Sequence, residues 1–237
     1  MSNTWFQFKQ FTIQQEHAAM KVGTDGVLLG AWASVPGPGS RALDIGTGTG
    51  LIALMVAQRT LSVTVDALEI DPLTARQAKE NFQNSPWKER IHCIPSSFQD
   101  FCIQSRALYD LIVCNPPFFS GSFKTPSREK NLARHDDSLS LEELFKGSVM
   151  IMKKSTIISL ILPVQKLQQA MELISEYKMH CNRITRVKPV EMKPAKRVLL
   201  EASYTYGERI EDELTIETDK SHEYSGKFKK LIEEFYL

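Results

Sequence analysis

The stretch Ala42-Leu-Asp-Ile-Gly-Thr-Gly-Thr-Gly50 joins a short apolar segment to a run of alternating glycines, and residues 51–59 follow with helical periodicity. An apolar run ended by glycines is typical of a buried strand that turns into a helix. Glycine at such a turn adopts positive φ without steric cost and lets the backbone approach a ligand closely. We therefore predict a strand at 42–45, a ligand-binding loop and a helix.

Beyond this unit, strand-like and helix-like segments alternate. The predicted strands are 63–70, 91–95, 111–114, 156–162, 182–187 and 198–206, and the predicted helices are 72–82, 138–152 and 165–177. Pro72 suits a first helical turn, and Ser140 with Glu143 fits a capping box. Such alternation indicates an α/β protein with a Rossmann-like, doubly wound, mostly parallel sheet of seven strands, covered by helices on both faces.

Two segments flank this predicted core, which spans residues 41–206. Residues 1–40 form a short N-terminal extension, expected to pack on the ligand site. Its period-2 alternation over 5–14 predicts one or two strands, and Thr24 or Asp25 is expected to cap a helix. Residues 207–237 form an acidic segment and an amphipathic helix that we assign to the same domain. The apolar side of that helix is expected to pack on the body of the protein and carries Phe228, Leu231, Ile232 and Phe235.

Composition limits the function. Of the 237 residues, 42% are hydrophobic and 24% charged, and the net charge is +1, so any nucleic-acid site must be local. The four cysteines form no C-x-x-C pair, which favours reduced thiols over a metal site; they are Cys93, Cys102, Cys114 and Cys181. The sequence shows neither a signal peptide nor an apolar run long enough to span a bilayer. We expect a cytoplasmic monomer or weak homodimer without metal.

Two carboxylates indicate which ligand the glycine loop binds. Glu69 ends the second predicted strand about 20 residues after the loop, where a carboxylate usually accepts hydrogen bonds from ribose hydroxyls. The run Gly48-Thr-Gly50-Leu-Ile-Ala53 also satisfies a dinucleotide pattern, which alone is a weak signal. Asp44 directly before the loop would repel a pyrophosphate, whereas it would favour the sulfonium and ammonium of S-adenosyl-L-methionine (AdoMet). AdoMet is therefore the predicted cofactor.

A second site follows the strand at 111–114. Pro116 and Pro117 lack backbone N–H groups and must end the strand, and Asn115 before them should be extended. The Asn115 side-chain oxygen and the Pro116 carbonyl then offer two acceptors beside the aromatic Phe118. Such an arrangement can hold a flat ring that bears an amine, such as a nucleobase. A simple strand-ending turn with a buried phenylalanine remains the alternative.

Together these segments resemble the class I methyltransferases of exocyclic amines, which carry (Asp/Asn)-Pro-Pro-(Tyr/Phe). More narrowly, the chain resembles the bacterial tRNA1(Val) (adenine-N6)-methyltransferase family, which modifies the adenine 3′ of the anticodon. The resemblance rests on Phe8-Lys-Gln-Phe-Thr-Ile13, residues 20–32, the glycine loop, Asn115-Pro-Pro-Phe-Phe119 and Lys196-Arg-Val-Leu-Leu-Glu201.

The resemblance implies the site residues. The catalytic set is Asn115, Pro116, Pro117 and Phe118, and both Phe118 and Phe119 are expected to stack on the base. The cofactor-binding set is Lys21, Thr24, Asp44, Gly46, Thr47, Gly48, Gly50, Glu69, Ile70, Ser97, Phe98 and Asn115. Many relatives place an aspartate where this chain has Ser97, with Asp100 three residues later. Ser97 is expected to accept a hydrogen bond from the cofactor, and Phe98 to lie against its adenine.

Two groups of basic residues are expected to contact tRNA phosphates. Lys124, Arg128 and Arg134 follow the Asn115 segment, and Lys196 and Arg197 end a basic stretch that begins at Arg183. Phosphate contacts position a nucleic acid without reading its sequence, so they do not identify the tRNA.

Several other functions are weighed against adenine-N6 methylation of tRNA. Guanine-N2 methylation of rRNA uses the same Asn-Pro-Pro-Phe signature, but such enzymes often carry a second domain upstream. Glutamine-N5 methyltransferases usually end the signature in tyrosine, and DNA adenine methyltransferases have a separate target-recognition domain. A nicotinamide oxidoreductase is disfavoured by Asp44. A non-catalytic RNA-binding module would leave both signatures without a role.

Overall fold

The computed structural model describes residues 3–16, 20–117, 139–219 and 223–236. A two-stranded antiparallel hairpin and a helix precede an eight-stranded sheet that is flanked by further helices. The hairpin consists of β1 (Trp5–Gln7) and β2 (Thr12–Gln14), which confirms the strands predicted there. The helix is α1 (Thr24–Trp32). Its N-cap is Gly23, without a side-chain cap, so the prediction that Thr24 or Asp25 caps it is wrong: both lie inside the first turn.

The sheet contains the seven predicted strands and one more. Its strands are β3 (Arg41–Ile45), β4 (Thr64–Glu69), β5 (Ile91–Pro95), β6 (Tyr109–Cys114), β7 (Met152–Pro163), β8 (His180–Val190), β9 (Arg197–Ser203) and β10 (Ile210–Glu217). Their spatial order is β10-β8-β9-β7-β6-β3-β4-β5. Only β9 runs antiparallel to its neighbours, so the sheet is doubly wound and mostly parallel as predicted.

Helices cover both faces of the sheet. One face is covered by α1, α2 (Leu51–Gln58) and α3 (Pro72–Gln83). Phe228 and Ile232 of the chain's last helix are buried in the same hydrophobic core. The other face is covered by α4 (Phe98–Gln104), α5 (Leu141–Ile151) and α6 (Leu167–Glu176). The last helix, α7 (Gly226–Ile232), therefore packs on the body as expected. No helix in the described ranges is long and apolar enough to cross a membrane.

Local sequence explains where two of these helices begin. Asp71 caps α3 by accepting a hydrogen bond from the Thr74 amide, and Pro72 occupies the first turn, where a missing N–H costs nothing. The predicted capping box of α5 is confirmed: the Ser140 hydroxyl accepts from the Glu143 amide, and the Glu143 carboxylate accepts from the Ser140 amide. Both caps satisfy amides that the helix itself leaves unpaired.

Helix α4 and strand β10 were not predicted from the sequence. Helix α4 is short and has too few turns to show a clear period. Strand β10 lies in the segment interpreted only as acidic. Its carboxylates pair with basic side chains of the neighbouring strand: Glu211 lies 2.9 Å from Arg186, and Glu213 lies 2.7 Å from Lys188. Opposite charges on adjacent strands stabilise the pairing. The acidic residues of β10 do not predict a strand by themselves, because this stabilisation depends on the basic residues of β8.

The parallel register brings the carboxyl ends of the central strands to one edge. Ile45 of β3 lies beside Leu68 of β4 on one side and Cys114 of β6 on the other. Glu69 at the end of β4 lies beside Pro95 at the end of β5. The glycine loop, Glu69, the start of α4 and Asn115 therefore emerge side by side, where doubly wound sheets bind their ligands.

Candidate active site

Asp44 lies at the end of β3 and is fully buried. Its Oδ2 accepts hydrogen bonds from the Thr47 hydroxyl at 2.6 Å and from the Ala53 amide at 3.2 Å. Its Oδ1 is buried too and has no hydrogen-bond partner in the described part of the chain. One carboxylate oxygen thus holds the loop to the start of α2, and the other remains an unsatisfied acceptor.

The pKa of Asp44 is raised from 3.8 to about 7, chiefly by burial and to a lesser extent by the nearby charge of Glu69. The hydrogen bonds from Thr47 and Ala53 act in the opposite direction but do not offset the loss of hydration. A cation beside Oδ1 would favour the ionised carboxylate. The site is therefore suited to a positively charged ligand.

The glycine loop after Asp44 follows a path that only glycine adopts easily. Gly48 has φ +57°, and its amide points at Glu69, donating to Oε2 at 2.9 Å. Gly50 has φ +87°, and a Cβ there would lie 2.3 Å from Cε1 of Phe82 in α3. A side chain at Gly50 would meet both a strained backbone and a filled space. At Gly46 and Gly48 no described residue other than the chain neighbours places an atom within 4 Å of the Cβ position, so this part of the loop faces open space among the described residues.

Glu69 links the loop to the next helix. Its Oε2 holds the Gly48 amide, and its Oε1 accepts from the Asp71 amide at 3.0 Å. Each oxygen keeps capacity for a further hydrogen bond, as recognition of two ribose hydroxyls requires. Ile70 next to it is 53% exposed and presents an apolar surface at the same edge.

At the end of β5, Ser97 and Phe98 make contacts within the chain. The Ser97 hydroxyl caps α4, accepting from the Asp100 amide at 3.0 Å and donating to the Asp100 carboxylate at 2.7 Å. The Phe98 ring is buried, and a Cβ at Gly147 of α5 would come within 2.5 Å of it. The ring therefore packs in the core under α5, where helix α4 turns this side chain inward. The expected contact of Phe98 with the cofactor's adenine remains a prediction.

Asn115 follows β6 and is half-buried, with Pro116 buried and Pro117 exposed behind it. In the described part of the chain, no other residue hydrogen-bonds to the Asn115 amide. Because β6 lies next to β3, this amide emerges beside the glycine loop. Phe118 and Phe119 lie outside the described residues, so the predicted stacking face remains a sequence-based prediction.

The first turn of α1 also lies at this edge. A Cβ at Gly26 would come within 3.0 Å of Leu51, the first residue of α2 after the glycine loop. Thr24 is exposed in that turn, and Lys21 precedes it, donating a hydrogen bond to the Asn3 carbonyl. The structure thus brings α1 to the glycine loop, while the cofactor contacts of Lys21 and Thr24 remain predictions.

The basic residues predicted to bind RNA are only partly described. Lys124, Arg128 and Arg134 lie outside the described residues. Lys196 is exposed at the carboxyl edge, in the loop between β8 and β9. Arg197 lies beside it, but its guanidinium is engaged by Asp25 at 2.8 Å. Within the described residues, no group of three or more His, Cys, Asp or Glu side chains could hold a metal ion.

These residues fit AdoMet. The unsatisfied Oδ1 of Asp44 offers an acceptor for a cationic group, and both Glu69 oxygens can accept from ribose hydroxyls. Among the described residues, nothing fills the space beside the Cβ positions of Gly46 and Gly48 in the loop after Asp44. The fold and this edge define a class I methyltransferase.

Comparison with known proteins gives the family. The Methyltransferase small domain model matches residues 23–152. The tRNA1(Val) (adenine(37)-N6)-methyltransferase of Christiangramia forsetii is 45% identical over 100% of this chain and 99% of its own length. The protein of the same name from Flavobacterium psychrophilum is 44% identical over 98% of this chain and 99% of its own. The chain therefore belongs to the tRNA1(Val) (adenine(37)-N6)-methyltransferase family.

Solved structures agree on the fold. A predicted O-methyltransferase from Agrobacterium tumefaciens is similar with a TM-score of 0.70 at 18% identity, covering 89% of this chain and 96% of that one. A 16S rRNA N2 methyltransferase from T. thermophilus, in complex with AdoMet and guanosine, is similar with a TM-score of 0.57 at 17% identity, covering 86% of this chain and 52% of that one. At these identities the similarity concerns the fold alone.

Proposed function

We propose that this protein transfers a methyl group from AdoMet to the exocyclic N6 of an adenine in tRNA, the adenine at position 37 of tRNA1(Val) named for its relatives. One observation carries the proposal: Asn115 at the end of β6 emerges next to the loop of Asp44, whose buried Oδ1 has no hydrogen-bond partner in the described part of the chain. A nucleobase-holding segment and a cofactor-holding loop therefore share one edge.

Asp44 and Glu69 would hold different parts of the cofactor. Asp44 accepts from its ammonium or stabilises its positive charge, and Glu69 accepts from its ribose hydroxyls while keeping Gly48 in place. When bound, AdoMet supplies an electrophilic methyl group on its sulfonium. The fully buried Asp44 is ionised more readily once that cation is present, so binding and deprotonation of this carboxyl favour each other.

Asn115 and Pro116 would orient the adenine. The amine lone pair is delocalised into the ring, so this nitrogen is a poor nucleophile at neutral pH. Acceptance of its two hydrogens by the Asn115 amide oxygen and the Pro116 carbonyl favours a pyramidal nitrogen whose lone pair points away from the ring. Positioning of this kind contributes up to about 7–11 kcal/mol. Methylation leaves N6 as a positively charged ammonium. This ammonium is acidic and loses its proton to solvent, so no strong general base is required.

The substrate RNA would be held by phosphate contacts. Lys196 is exposed at the same edge as Asn115, and Lys124, Arg128 and Arg134 follow Asn115 in sequence. We expect these cations to position the anticodon arm without specifying its bases. A base that is stacked in the anticodon loop must be turned out of the stack to reach Asn115. Phe118 is its proposed stacking partner.

The test is incubation with methyl-labelled AdoMet and unmodified bulk tRNA or rRNA, followed by nucleoside analysis. Label in N6-methyladenosine from tRNA is the expected result. Label in N2-methylguanosine from rRNA would retain the fold and cofactor but replace the substrate. Absence of label from every RNA, with AdoMet still bound, would point to a different amine and contradict the proposal.

A further inference from the structure

Arg197 pairs with an acidic residue of helix α1, whereas Arg186 and Lys188 of the same basic stretch pair with acidic residues of strand β10. It begins β9, where its backbone pairs with Pro163 at the end of β7 and with Val187 of β8. Its Nε donates to Oδ2 of Asp25 at 2.8 Å. Asp25 lies in the first turn of α1, so this ion pair joins the far half of the sheet to the helix that borders the glycine loop.

Strand β9 holds α1 at its other end as well. Glu201, on the same side of β9 as Arg197, is 4% exposed and accepts hydrogen bonds from the Ser34 amide at 2.6 Å and the Ser34 hydroxyl at 2.9 Å. Residues four apart on a strand point to one face. Ser34 lies just beyond the last residue of α1, so β9 contacts α1 near both of its ends, through a buried carboxylate at one and a partly exposed guanidinium at the other.

Helix α1 in turn packs on α2 without space to adjust. A Cβ at Gly26 would lie 3.0 Å from Leu51, and one at Gly30 would lie 2.7 Å from Met55. The two helices run side by side in the same direction, since Arg59 at the end of α2 donates to the Ala33 carbonyl beyond the end of α1. A shift of the first turn of α1 is therefore passed to Leu51, directly after the glycine loop.

We propose that Arg197 is a positioning residue for the cofactor site, acting through Asp25 and the first turn of α1, rather than a residue that contacts RNA phosphate. The inference rests on AdoMet being the cofactor. Its consequence is that loss of the ion pair weakens AdoMet binding while the affinity for tRNA is retained. If Arg197 instead contacted an RNA phosphate, its loss would weaken tRNA binding and leave AdoMet binding unchanged.

The chain offers a matched control. Arg186 and Glu211 form an ion pair at 2.9 Å with side chains 38% and 37% exposed, against 39% and 33% for Arg197 and Asp25. The control pair joins β8 to β10. Thr185 of β8 contacts Trp32 at the end of α1, and the next side chain, Arg186, points to the opposite face of the sheet. Substitution there removes an ion pair of similar geometry and exposure without touching α1.

The experiment measures the Kd for AdoMet by calorimetry on the full chain. We expect Arg197→Met and Asp25→Asn each to raise it about fivefold, the upper limit for a partly exposed ion pair, and Arg186→Met to leave it within about twofold of wild type. Steady-state kinetics should show the same rise in the KM for AdoMet, with kcat at saturating AdoMet unchanged. Exchange of the charges by Asp25→Arg with Arg197→Asp should restore much of the affinity.

Three results would overturn the proposal. The first is an unchanged Kd for AdoMet in Arg197→Met together with weaker tRNA binding and a reduced salt slope. The second is an equal loss in Arg197→Met and Arg186→Met, which would indicate general destabilisation. The third is a loss in Arg197→Met that Asp25→Asn does not reproduce. Failure of the wild-type chain to bind AdoMet would instead contradict the proposed function, and this is measured before any variant.

Discussion

At the carboxyl edge of the sheet, the loop after β3 is held by its own hydrogen bonds, whereas the segment after β6 is shaped by two prolines. In the first, Asp44 holds Thr47 and Ala53, and Glu69 holds Gly48. In the second, the Asn115 amide has no partner in the described ranges. The first arrangement preorganises a binding surface, and the second leaves acceptors available for a substrate amine. The four changes below separate these two roles.

Asn115→Ala should have the largest effect. It removes an acceptor proposed to act on the amine, so we expect kcat to fall about 10²–10³-fold, as with other preorganised polar groups at reacting centres. The Kd for AdoMet should stay within about twofold of wild type. Asn115→Asp keeps an acceptor oxygen in the same place and should retain more activity. Equal losses of turnover and AdoMet affinity in Asn115→Ala would mean that Asn115 serves the structure rather than the reaction.

Gly50→Ala should destabilise the glycine loop after β3. The new Cβ would lie 2.3 Å from Phe82 at a φ of +87°, so strain and overpacking should lower the free energy of unfolding by about 2–4 kcal/mol. Denaturant titration measures this loss. Gly37→Ala is the control, because no atom lies within 4 Å of its Cβ position and it should change stability little. Similar losses in both variants would show that the contact with Phe82 is unimportant.

Asp44→Asn should weaken AdoMet binding about 10–100-fold, as expected when a hydrogen bond to a charged group is lost. Because burial raises the pKa of Asp44 from 3.8 to about 7, the folded protein keeps a proton that the unfolded chain has released between these values. The contribution of Asp44 to the free energy of unfolding is therefore greatest below about pH 4 and declines as the pH rises to about 7. AdoMet affinity should rise over pH 6–8 in the wild type.

In Asp44→Asn both pH dependences should be reduced, since asparagine does not titrate. Thermal unfolding of the ligand-free variant above pH 7 should occur at a higher temperature than in the wild type, because no buried charge forms. Calorimetry of AdoMet binding at several pH values gives the second measurement. A variant whose stability and affinity follow the wild-type pH profiles would assign the titration to another group.

Lys196→Glu should have the smallest effect. If Lys196 contacts one phosphate, tRNA binding weakens and the slope of log K against log salt falls by about 1, while AdoMet affinity stays constant. Binding isotherms at several salt concentrations test this. Lys178→Glu, at the opposite edge near the start of β8, is a charge-matched control that should leave the slope unchanged. An identical slope in Lys196→Glu and wild type would remove Lys196 from the RNA surface.

Local signals in the sequence were sufficient for the α/β class and for the seven strands of the core, and they are the basis for the two segments proposed to carry the chemistry. Glycines before a helix and prolines after a strand restrict the backbone through their own geometry, so Gly48, Gly50 and Pro116 can be interpreted without knowing their neighbours. The capping box of Ser140 and Glu143 is local for the same reason.

Only the tertiary structure decided what depends on contacts between distant residues. The acidic residues of β10 form a strand because Arg186 and Lys188 lie opposite, and Phe98 turns inward because Gly147 of α5 leaves room for its ring. The partner of Arg197 is Asp25, far away in sequence. A charge or an aromatic ring shows its type in the sequence, but its role depends on which partner the folded chain places beside it.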